Sequence, residues 1–299
     1  MLWIIYSLAA ALCTSITYLI RKKTLIKEHS IRFLTILKFF EGIFVLLLIP
    51  FVNFELPFMV YILLFLISLI GLEADIFDTK SLRKLEISNV FPLKNLSPLF
   101  LVIISYIFLG EKLVLLQIIG IIILIFGTYV LECNGNLLNY EYFFKRVKHS
   151  RYLQYAFLSL VLVSFSAIGE KYAFNKHMID PITILFFVYA FMAIEMLIIQ
   201  IFFPKDKEHK NSIKELFDTL NRARWPIFIS ALFGLLAAAF YYLAIQIALV
   251  SLVIPIKRLS TLITTVLGGG FFKEKHLLFR TLACIIMLIG LYLIVHPML

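Results

Sequence analysis

The sequence predicts an all-α integral membrane protein: ten transmembrane helices arranged as two inverted five-helix repeats. Three observations carry this. The chain is 62% hydrophobic with a mean hydropathy of +0.98, more apolar surface than a water-soluble domain can cover with polar residues. It divides into apolar segments of about the 20 residues that a bilayer requires. One stretch also occurs twice, and internal duplication decides the fold before any local reading.

The duplicated stretch reads SNVFPLKNLSPLFLVIISYIFLGEK over Ser88–Lys112 and SLVIPIKRLSTLITTVLGGGFFKEK over Ser251–Lys275. A shift of 163 residues superposes the copies without a gap, placing Pro92 on Pro255, Lys94 on Lys257 and Ser97 on Ser260. The register extends upstream, where Gly71 meets Gly234, and downstream, where Gly127 meets Gly290. A shift of 154 sets Glu41 on Glu195 and Pro50 on Pro204, relating the second and seventh helices.

Taken in order, the spans are 2–20, 33–50, 58–80, 88–109, 114–131, 152–174, 182–203, 226–246, 251–272 and 277–295. The first lacks the basic leader of a signal peptide and runs long enough to cross a bilayer. Pro50, Pro57, Pro181, Pro204 and Pro226 punctuate span ends, where a missing N–H matters least. The organisation is therefore a first repeat over 1–131, a connector over 132–151 and a second repeat over 152–299. Five helices is an odd number, so the second repeat must enter the bilayer from the opposite side, the plan in which a substrate site lies near the midplane between repeats.

The net charge of +10 is a topology signal. Basic residues gather in the connectors 21–32, 83–84, 145–151, 205–224 and 273–275, whereas the opposite set holds little beyond Lys112 and Lys176. Lys and Arg collect on the cytoplasmic side, so both termini are expected outside. No single basic domain exists, so nucleic acid is not an expected partner; the partners are the lipid bilayer and a small-molecule substrate. Cys13, Cys133 and Cys284 lie far apart and the six histidines show no ligand spacing, so no disulfide framework, metal site or cofactor is expected.

Charges inside apolar spans mark function, because each is costly in lipid and must face protein or water. Lys94 lies about two turns into the fourth span, and Lys257 and Arg258 lie at the same depth in the ninth. Inversion places the two lysines on either side of the midplane as a cationic clamp for an anion; snorkelling to the interface is the competing reading. Pro92 and Pro255 precede the lysines and kink their helices, as hinges or as simple bends. In the third span Asp75 and Asp78 share a face that the second repeat does not reproduce. They are candidates for balancing the empty site. Glu41 and Glu195 sit mid-span and are candidate proton relays, with a structural pair between Lys38 and Glu41 as the alternative. Gly268–Gly270 follows no strand and is no phosphate loop, and the Glu-Lys pairs at 111–112 and 274–275 are expected to cap short turns.

Two repeats whose proline-bearing fourth helix ends in Gly110-Glu111-Lys112 or Lys273-Glu274-Lys275 resemble the drug/metabolite transporter superfamily, and within it the EamA-like permeases. A narrower resemblance is to plastid sugar-phosphate translocators, which implies phosphate-binding roles for Lys94, Lys257 and Arg258; Ser97 departs from the acid those translocators tend to carry. The resemblance implies a prokaryotic cytoplasmic membrane, although bacterial relatives commonly have cytoplasmic termini, against the charge count.

The function expected is a secondary transporter moving a small anionic or zwitterionic metabolite by alternating access. A broad-specificity exporter of amphipathic or amino-acid-like compounds is the alternative within transport. A non-transporting membrane receptor or assembly subunit is the alternative outside it. An enzyme is not expected, since no span assembles a His-based constellation of nucleophile, acid and base.

Overall fold

Long apolar runs become helices in a bilayer because a helix satisfies every backbone N–H and C=O internally. The computed structural model describes residues 2–85, 97–132, 150–202, 205–206, 209–210, 213–261, 263–264 and 277–296. Among these, ten α-helices run in the order α1 (Leu2–Leu25), α2 (Ser30–Leu46), α3 (Phe58–Lys84), α4 (Ser97–Leu109), α5 (Leu115–Glu132), α6 (Arg151–His177), α7 (Pro181–Phe202), α8 (Ile213–Ile247), α9 (Val250–Lys257) and α10 (Leu277–Val295). Two paired residues on each side, Lys205↔Lys210 and Asp206↔His209, make a minimal antiparallel ladder between α7 and α8. Five helices are long and apolar enough to cross a membrane, and shorter apolar helices cover Phe100–Leu109, Leu115–Gly127 and Ile285–Ile294.

The packing obeys a pseudo-two-fold that exchanges α1–α5 with α6–α10. Helix α1 packs on α8, and its image α6 packs on α3; α2 packs on α8, and its image α7 on α3; α4 packs on α6, and its image α9 on α1. The pairs α2–α7 and α5–α10 map onto themselves. Glycines permit the α5–α10 approach: a β-carbon at Gly120 would fall 2.8 Å from the Gly290 carbonyl oxygen, and one at Gly290 would fall 2.7 Å from the Leu124 nitrogen. Small residues let helix backbones meet where lipid gives no hydrophobic drive to pair them.

Three details differ from the sequence expectation. Helix α1 continues through Arg21, Lys22 and Lys23 to Leu25, rather than ending near residue 20. The reason is that Arg21 is buried among carboxylates and the Lys22 ammonium donates to the carbonyls of Leu82 at 2.7 Å and Leu85 at 2.6 Å, closing the C-terminal end of α3. Lys171 does the same in the second repeat, donating to Ile245 at 2.6 Å and Ala248 at 2.9 Å at the end of α8. Second, most of the 205–224 connector is the start of one continuous 35-residue helix, α8, that runs through Pro226. It is fastened by Glu28, which accepts from Thr219 at 3.1 Å and from Arg222 at 3.1 and 3.2 Å, and by Arg32 on Glu215 at 3.3 Å. Third, Glu111 caps across the repeats: it accepts from the backbone N–H groups of Val250 at 3.0 Å and Ser251 at 3.1 Å, and so holds the N-terminus of α9.

Candidate functional site

The pseudo-two-fold brings the polar positions of both repeats to one central cavity of about 240 Å³. Helices α1, α2 and α3 of the first repeat and α6, α7, α8 and α9 of the second line it, and helices of the two repeats alternate around it. Among the described residues its charged lining is four basic residues, Arg21, Lys38, Lys257 and Arg258, and four acidic ones, Glu41, Asp75, Asp78 and Glu170. The balance is zero overall but uneven in space: the first repeat supplies two bases and three acids, the second two bases and one acid.

On the first-repeat side the charges are tied together. Lys38 is 2% exposed. Its ammonium pairs with Glu41 at 2.8 Å, one turn on along α2, and with Asp75 of α3 at 2.6 Å. The Met192 sulfur lies 3.6 Å away and the Tyr189 ring centroid 5.1 Å away, both from α7. Arg21 stands among Glu41, Asp75 and Asp78. A buried cation held by two carboxylates is a structural staple between helices: its desolvation is already met by its partners, and breaking it leaves buried charge behind.

On the second-repeat side the charges are not tied together. The Lys257 ammonium lies 4.3 Å over the ring of Tyr241 and makes no hydrogen bond or ion pair with any described residue. Arg258 follows it at the turn where the helical assignment of α9 lapses, three residues past Pro255. Adjacent helical residues diverge by about 100°, yet both line the cavity because the longer Arg258 side chain reaches back to α4, where its Nε donates to Ser97 Oγ at 2.8 Å. Glu170 of α6 accepts from the hydroxyls of Tyr241 and Tyr242, each at 3.0 Å.

Of the residues singled out in the sequence, Glu41, Asp75, Asp78, Lys257 and Arg258 line this cavity. Glu195 does not: it accepts from Ser68 at 2.7 Å in the α3–α7 contact. Lys94 and Pro92 lie outside the described residues. Sequence reasoning passed over Arg21, Glu170 and the tyrosines. A signal existed: a shift of 149 sets Lys22 on Lys171 and Arg21 on Glu170, so the helix-closing lysine of each repeat is preceded by a cavity-facing charge.

The EamA-like transporter family matches residues 1–133 and 150–296, one segment for each repeat. One solved structure, described only as the crystal structure of a protein, superposes over 97% of this chain and 95% of its own length with a TM-score of 0.68 at 16% identity, a likeness of fold alone. No curated protein matches the chain. The chain belongs to the EamA-like transporter family, and is an integral membrane protein of the transporter type with a small-molecule substrate.

Proposed function

We propose that this protein is a secondary transporter that carries a small zwitterionic or singly anionic metabolite by alternating access, with Lys257 holding the anionic group. The observation that supports this most is the Lys257 ammonium, which faces the cavity between the repeats with an aromatic ring as its one described contact. An intramembrane cation without a protein partner is expensive unless water or a ligand completes it. Arg258, anchored at Nε by Ser97, stands next to it. The first repeat, with three acids to two bases in the described lining, suits a cationic group on the same molecule.

Size and charge narrow the cargo. A cavity of about 240 Å³ falls below the roughly 300–1,000 Å³ of sites for drug-sized ligands. A dianionic sugar phosphate would meet a described lining whose charges already sum to zero, so a single carboxylate or a zwitterion fits better. The broad-exporter reading draws on Tyr18, Tyr189, Tyr241 and Tyr242 in the same lining. The small volume favours the narrower cargo.

For orientation, the reading keeps the connector 205–224 cytoplasmic and both termini outside, on the one-sided distribution of Lys and Arg. External cysteine labelling that reached this connector in intact cells would reverse it. Cargo is tested by counterflow in liposomes with a panel of labelled carboxylates, zwitterions, sugar phosphates and bulky uncharged amphipaths. Exchange confined to carboxylates or zwitterions supports the reading, and preferential exchange of bulky uncharged amphipaths contradicts it.

A further inference from the structure

One acid in the cavity is held by hydroxyl groups, with no ion pair to a described residue. Glu170 is 7% exposed. Its Oε2 accepts from Tyr241 and its Oε1 from Tyr242, both at 3.0 Å, and the Ser166 hydroxyl lies 3.4 Å from Oε1. All three are neutral groups. The positive charge that faces it is Lys257 on α9, whose ammonium lies over the ring of the same Tyr241 that binds the carboxylate. Around this pair, α3 presents Asp75 and Asp78 and α7 presents Tyr189, while Arg258 of α9 is engaged by Ser97 of α4.

We propose that Glu170 is a proton-binding site coupled to Lys257: when an anionic group occupies Lys257, Glu170 takes up one proton, and anion and proton are carried together. This rests on the transport reading above for its cargo. The physical reason is compensation. In the empty cavity the Glu170 carboxylate and the Lys257 ammonium offset one another through space. An anion at Lys257 cancels that offset and leaves a buried carboxylate supported by neutral donors alone, the arrangement that burial tolerates least. A proton from cavity water, bound to a carboxylate oxygen, restores neutrality, and no covalent bond in the cargo changes. The tyrosines accommodate both states. Each hydroxyl can donate to the carboxylate or accept from the carboxylic acid, so the switch needs a hydroxyl rotation and no backbone movement. Glu41 and Asp75 cannot serve in this way without breaking the Lys38 staple that holds α2 to α3.

The test has an arm that needs no cargo. Infrared difference spectra of the full chain in liposomes, between alkaline and acidic buffer, should show a protonated-carboxyl band. Glu170→Gln, which keeps a hydrogen-bonding amide beside both tyrosines, should abolish that band, and Tyr241→Phe should shift it. Lys257→Met removes the compensating charge as a bound anion would, and should show the Glu170 band already at neutral pH. Its absence there overturns the proposal. The second arm uses pyruvate and glycine as anionic and zwitterionic probes. Because coupling is reciprocal, acidification should raise probe affinity about tenfold in the wild type and leave it flat in Glu170→Gln. Retained acid stimulation in Glu170→Gln also overturns the proposal. Failure of the wild type to bind or move either probe counts against the transport reading alone, and the infrared band still decides whether Glu170 binds the proton.

Discussion

The first-repeat and second-repeat walls of the cavity, whose symmetry-related helices alternate around it, treat their charges in opposite ways. On the first-repeat wall, Lys38 is clamped by Glu41 at 2.8 Å and Asp75 at 2.6 Å. On the second-repeat wall, the position equivalent to Lys38 is Met192, the lysine is Lys257 on another helix, and its ammonium lies over the Tyr241 ring with no ion pair to a described residue. Glu170 there rests on two phenols. The duplicated helices keep their packing, while the polarity, sign and pairing of the side chains at equivalent positions have diverged. Even the position preceding the helix-closing lysine carries Arg21 in one repeat and Glu170 in the other. The contrast suggests a division between scaffold and working surface: ion pairs closed within the protein fasten helices, and the proposed function assigns the ligand to the charges left open.

If that division is right, the largest loss of stability comes from the closed wall. Lys38→Met should destabilise the protein by about 3–5 kcal/mol, because it leaves two carboxylates buried without their cation. Adding Glu41→Gln and Asp75→Asn should recover much of the loss; thermal unfolding in detergent measures both. A Lys38→Met protein as stable as the wild type would erase the contrast between the walls.

Tyr242→Phe removes one donor from Glu170 and touches no staple. A loss of about 1.5–3 kcal/mol is expected in the same assay at neutral pH, as for a hydrogen bond to a charged group. A much smaller loss would mean the carboxylate does not depend on this phenol. Ser97→Ala frees the Nε edge of Arg258 and should lower stability by about 0.5–1.5 kcal/mol, while altering affinity for anionic probes more than for neutral ones. The smallest effect belongs to Glu195→Gln, since Ser68 can donate to an amide oxygen as it does to the carboxylate. Stability and flux should stay near wild type, and a strong transport defect would bring Glu195 back into the working surface.

The fold was legible because its signals are global. An apolar composition calls for spanning helices, and an ungapped duplication with an odd helix count calls for inversion. Within the site, Asp75, Asp78, Glu41, Lys257 and Arg258 were legible as charges inside apolar runs. Arg21 was not, because a basic residue followed by Lys22 and Lys23 at the end of an apolar run reads as a connector. Nothing local reveals that Lys22 closes α3 and so carries the helix onward. Glu170 was hidden for the same reason, lying beside Lys171 near the end of its span. The tyrosines were hidden by their type, since aromatic residues in membrane helices serve packing as readily as sites. Glu111 shows the limit most plainly: its local pattern suggests a turn cap, and only the three-dimensional fold reveals that the capped helix belongs to the other repeat.

The measurement that bears most directly on the division between the walls is a paired assay of Lys257→Ala, with unfolding in detergent and counterflow in liposomes on the same preparation. Lys257 makes no ion pair with a described residue and meets Glu170 only through space, where a proton on Glu170 can replace it, so the variant should unfold close to the wild-type temperature while exchange of the anionic cargo falls by at least about tenfold, the equivalent of roughly 1.4 kcal/mol of lost binding. Wild-type exchange by a well-folded Lys257→Ala protein, or a collapse in stability like that expected of Lys38→Met, would contradict the account.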